Sequence, residues 1–99
     1  MRYVVLTMVI EREGKYYVSR CSELGIASSG QTEEEALRSI EDATEVYLNT
    51  LEDLGECEEF LQRQGVPVYC NAPASRKMPS PPRGGFVYSQ VMPVGLACA

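Results

Sequence analysis

The chain is 99 residues long, carries a net charge of −5, and contains four cysteines but no histidine. A chain of this size buries only about two-thirds of its unfolded surface, so one domain with a single modest core is expected, one that oligomerisation would help to complete. Without histidine the usual general base and the commonest metal ligand are missing, and no apolar stretch approaches the roughly 18 residues of a membrane span.

Residues 3–10 alternate Tyr3, Val5, Thr7 and Val9 with Val4, Leu6, Met8 and Ile10. Both sets are apolar, which predicts a central strand covered on both faces. The run follows a single Arg2 and leads into charged Glu11-Arg12-Glu13 with no small-residue cleavage site, so no signal peptide is expected. Arg12-Glu13-Gly14-Lys15 reads as a hairpin connection with Gly14 free to take positive φ. A second strand follows over 15–21, and a short third strand over 26–29. The small Ala27, Ser28 and Ser29 leave room there for a helix to approach closely.

Gly30-Gln31-Thr32-Glu33-Glu34-Glu35-Ala36-Leu37 is a strand-to-helix switch. Thr32 is the cap residue and Glu35, three positions on, completes a capping box. Three glutamates sit in the first turn, where the helix dipole favours negative charge. Gly30 is expected to let the backbone leave the strand sharply. From there the apolar period is helical: Ala36 or Leu37, then Ile40, Ala43, Tyr47, Leu51 and Leu54 form one stripe of a long helix over 32–54 that packs on the sheet. Gly55 fits its C-terminal cap, and a shorter helix is expected over 56–64.

Residues 67–85 hold five of the six prolines together with Arg76, Lys77 and Arg83, which suits an extended connection with little helix or sheet of its own. Residues 86–92 return to a strand pattern that can complete its own sheet or cross to a neighbouring copy. The organisation is therefore an α/β domain over 1–66, a proline-rich connection over 67–85 and a C-terminal strand within 86–99. The fold class is α+β: a three-stranded antiparallel sheet with a long helix in the order β-β-β-α, then a second short helix and the C-terminal strand. The unpaired edge of that strand and the small core predict at least a homodimer.

The charge is unevenly placed. Between Glu33 and Glu59 eleven acidic residues face one base, Arg38, so that segment carries −10 and the rest of the chain +5. Most of this acidity decorates the solvent face of the helices, as it does on many soluble helices, and the alternative is a docking face for a basic partner. Phosphates would meet like charge there, so direct nucleic-acid binding is not expected. Tyr3, Tyr16 and Tyr17 lack the basic neighbours of an RNA-stacking sheet, and the prolines after residue 65 leave no helix-turn-helix.

Catalysis has little support. No phosphate-binding glycine loop occurs, and the irregularly spaced cysteines make no zinc pattern. Cys21 has no partner base for nucleophilic work, so free thiols in a reducing cytoplasm are expected. Glu11, Glu13 and Glu23 could converge on a hard cation, but solvated hairpin carboxylates are the commoner arrangement. Neither metal nor cofactor is expected.

Residues 9–24, with an acidic hairpin followed by Gly14-Lys15-Tyr16-Tyr17-Val18, resemble the start of HicB-type antitoxin domains. Gly30-Gln31-Thr32 with Glu35-Ala36-Leu37 resembles the switch of that family, and residues 41–48 resemble its helix. The likeness spans about residues 3–54 and departs at Gly25-Ile26-Ala27, where the family has a proline. The resemblance implies helices on one side of a sheet, as in a double-stranded-RNA-binding domain or a degenerate RNase H fold. It also implies a cytoplasmic, non-catalytic protein that neutralises a small basic HicA-type toxin that cleaves mRNA. Glu11, Glu13, Tyr17 and Glu23, at the hairpin end and the following loop, are the expected toxin contacts, with the acidic helix face as their competitor. The alternative is a stand-alone oligomeric scaffold or small-ligand binder of the same fold, and a more distant one is a cryptic nuclease.

Overall fold

In the computed structural model, the described residues are 2–71, 76–78 and 85–95. Strand β1 (Arg2–Glu13) turns through Gly14 and Lys15 into β2 (Tyr16–Cys21), which is followed by β3 (Ile26–Gly30). Glu13 pairs with Tyr16 across the first turn, and Gly14 takes φ +63, a conformation open to glycine but strained for other residues. Helix α1 (Glu33–Asp53) and the short α2 (Cys57–Arg63) come next. Three strands close the chain: β4 (Val68–Tyr69), β5 (Arg76–Met78) and β6 (Gly85–Val94).

The strands form one antiparallel sheet in the order β3-β2-β1-β6-β5, with β4 paired to the start of β1. The first half supplies the three antiparallel strands and long helix expected in the order β-β-β-α, and β4, β5 and β6 extend the sheet. β6 pairs with β1 from Arg2↔Val94 to Glu11↔Gly85, so the C-terminal strand completes its own sheet within the chain. The proline-rich connection holds two short strands, β4 and β5, where little sheet was expected. Both are only two or three residues long and borrow their register from a longer neighbour, so no periodicity of their own announces them.

Alternation along β1 separates the two faces of the sheet. Val4, Leu6, Met8 and Ile10 are fully buried under the helices. Tyr3, Val5, Thr7 and Val9 are only half-buried, so the expectation of a strand covered on both faces fails for the described residues. Both helices pack on the even-numbered side.

Thr32 caps α1 by accepting the Glu35 N–H at 3.0 Å. The Glu35 carboxylate makes no return bond, so only half of the capping box forms among the described residues. The buried residues of α1 are Ala36, Ile40, Thr44 and Leu48, a stripe of strict four-residue steps. Tyr47 and Leu51 pack at its edge, Tyr47 against Phe60 of α2 with ring centroids 5.7 Å apart. Leu54, placed in the stripe from its spacing, is 64% exposed, because the helix has ended and the chain has turned there. Thr44 belongs to that buried line although its hydroxyl breaks the apolar pattern. The hydroxyl faces the Cys21 thiol, while that of the buried Ser19 has no hydrogen-bond partner among the described residues.

Gly30 has a different reason from the one expected. Its φ is not positive, but a Cβ built there would lie 2.5 Å from the Ala36 backbone nitrogen and 2.8 Å from the Glu35 carbonyl carbon. The absent side chain is what lets α1 fold back against β3.

Candidate interaction surface

α1 lies mainly over β3 and β2, and less over β1 and β6. The small side chains of β3 draw the helix to that end of the sheet, leaving a groove between its far flank and the second half of β6. This cleft encloses about 370 Å³. Glu41, Asp42, Glu45 and Glu52 form its helix wall together with Asn49, while Leu48, Met92 and Val94 supply apolar surface. Positions 41, 45 and 52 fall on one flank because steps of four and seven nearly complete whole helical turns.

Glu52 also fastens one end of the groove, its carboxylate accepting the Gly95 N–H. Glu41 is half-buried. Burial pushes its carboxyl above the usual range, the neighbouring Asp42 charge adds to this, and Arg38 partly opposes it. The wall therefore holds negative charge at a cost that an arriving cation would relieve.

The four expected contact residues do not share one surface. Glu11 projects on the open side of the sheet and is bound to Arg20 at 2.8 Å. Glu13 is exposed at the hairpin end. Tyr17 is paired with Arg12 and Gly30 on the helix side, half-buried against the core. The Glu23 carboxylate accepts the Thr7 N–H at 2.7 Å and the Thr7 hydroxyl at 2.8 Å. It thus satisfies β1 in the gap between β2 and β4, where no strand pairs. Glu11 and Glu23 are committed to holding the sheet together, whereas Glu41, Asp42 and Glu45 make no such bond among the described residues.

Among the described residues no group of three or more Asp, Glu, Cys or His is placed to hold a metal ion. Cys21 and Cys57 are free and buried, and burial is the main cause that raises both thiols above their usual range. Cys98 lies outside the described residues. Among the described residues no helix is long and apolar enough to cross a membrane. No family model, curated protein or solved structure matches the chain.

Proposed function

We propose that this chain is a non-catalytic, antitoxin-like interaction module that binds and neutralises a small basic protein, a HicA-type mRNA-cleaving toxin of the cytoplasm. The observation that carries the reading is the cleft beside α1, where four carboxylates that include the strained Glu41 line a groove with an apolar floor. A lysine or arginine entering it gains charge-assisted contacts and relieves the repulsion between Glu41 and Asp42. The −10 charge of residues 33–59 draws a basic partner in from a distance and raises the association rate, an effect that falls with added salt. Inhibition then follows from occlusion, since a basic surface held against carboxylates is closed to RNA. The HicB-like hairpin and switch, and the placing of both helices on one side of the sheet, agree with this reading.

The groove's volume also falls at the low end of the range of small-ligand pockets, which favours a ligand-binding domain as the second reading. Co-expression separates the two. The chain should rescue cells from a basic toxin encoded beside it, and Glu41→Lys with Glu45→Lys should abolish rescue while leaving the fold intact. Glu52 is left unchanged because it holds Gly95. Rescue untouched by the reversal would remove the cleft from the mechanism. The purified chain should leave RNA and DNA uncut with or without magnesium. Cleavage lost on a single carboxylate substitution would make it an enzyme instead.

A further inference from the structure

The side of the sheet away from the helices is an apolar surface with no described segment over it. Tyr3, Val5 and Val9 of β1, Val18 of β2, and Val87 and Val91 of β6 share it by register, and all are half-buried. Thr7 and Ser89 pair between them, and the Thr7 hydroxyl donates to the Glu23 carboxylate at 2.8 Å. Arg76 of β5 stands beside Ser89 by register and Glu11 is bound to Arg20 at 2.8 Å, so acidic Glu11 and Glu23 stand against basic Arg20 and Arg76. We propose that this face is where two copies of the chain pack, sheet on sheet.

Charge selects the occupant. A basic partner gains little from a valine surface whose acidic and basic groups balance, whereas a second copy carrying −5 can approach on no better side. Docking helix to helix would bring two −10 segments together. Docking through the open faces puts those segments on the two outer surfaces. With sheets packed about 10 Å apart and a helix layer about 10 Å thick outside each, the acidic layers lie on the order of 30 Å apart. That is several times the Debye length of about 8 Å at physiological salt.

The area is sufficient. Nine residues each of β1 and β6, six of β2, five of β3 and three of β5, each about 3.3 Å along the strand and about 4.8 Å across it, present roughly 500 Å² per copy in projection. Two copies then bury about 1,000 Å², the lower bound for a specific interface. The association expected from the small core is thus placed on a face rather than at the edge of β6.

The test uses the full chain alone, so its outcome is independent of any toxin. Sedimentation at micromolar concentration should return twice the 11.0 kDa chain mass. Val9→Arg should return 11.0 kDa. Should that variant fail to fold, Val5→Thr with Val87→Thr keeps the β-branched shape and should weaken the dimer at least tenfold with an unchanged circular dichroism spectrum. In a dimer mixed from differently labelled copies, the methyls of Val5, Val9 and Val91 should show contacts between copies. A monomer at every concentration would overturn the proposal, as would a dimer indifferent to both substitutions. Methyl contacts to residues 72–84 of the same copy, in place of a second copy, would overturn it too.

Discussion

The two sides of this sheet start from similar residues and end in different environments. Along β1 the even positions Val4, Leu6, Met8 and Ile10 are sealed beneath α1 and α2, while the odd positions Val5 and Val9 remain half-exposed. Beyond the helices the covered side ends in carboxylates, and the open side ends in valines. Apolar alternation therefore states that a strand has two dry faces without stating what dries them. Here the chain supplies a lid for one face and none, among the described residues, for the other. On the two proposals above, the same division separates partners by charge, with the acidic flank for a basic protein and the charge-balanced sheet for a like-charged copy.

The contrast is sharpest between neighbouring residues. Ile10→Ala, on the sealed side, should cost about 2–5 kcal/mol in chemical denaturation, since the cavity cannot refill. Val9→Ala should cost less, and its cost should depend on protein concentration if a second copy covers it. Equal, concentration-independent losses would mean that the two faces are equally covered within one chain. Gly30→Ala should cost about 1–3 kcal/mol, because the new Cβ meets the Ala36 backbone rather than a movable side chain. A loss near zero would show that α1 can back away from β3. Thr32→Ala should cost about 1 kcal/mol through the lost cap, and no loss would place the start of α1 elsewhere.

The smallest expected effect is on pH. The folded state raises the Glu41 carboxyl above its usual 4.5, so the folded state binds its proton more readily than the unfolded chain does. Its burden on stability is therefore present at neutral pH and is relieved as pH falls through the raised value to the usual one. Glu41→Gln should slightly stabilise the free protein at pH 7 and flatten its stability profile just above 4.5. A destabilised variant would mean that the ionised carboxylate is satisfied in the fold.

Local signals carried much of this architecture and tertiary ones did not. Thr32 with its three glutamates marked the start of α1, and Gly14 marked the hairpin, because capping and tight turns depend on adjacent residues. Thr44 and Leu48 escaped, since the apolar stripe was traced through Ala43 and Tyr47, one residue off the buried line. The pairing of β6 with β1 joins residues more than 70 positions apart, and two partners were equally open to its pattern. The acidic wall was legible as a spacing, Glu41 to Glu45 to Glu52. The groove was not, because its other wall is β6. Glu11 and Glu23 stood out as exposed hairpin charges, and only the folded chain shows them bound to Arg20 and Thr7.

The claim that two surfaces serve two kinds of partner is tested most directly by one binding series. The affinity for a basic HicA-type toxin, where one is encoded beside this chain, would be measured by calorimetry at two salt concentrations. The series compares the unaltered protein, the Glu41→Lys/Glu45→Lys variant and the Val5→Thr/Val87→Thr variant. The account predicts that only the first variant loses affinity, by at least a hundredfold, and that added salt weakens the unaltered protein's binding. Retained affinity in the charge-reversed variant, or an equal loss in the valine variant, would contradict it.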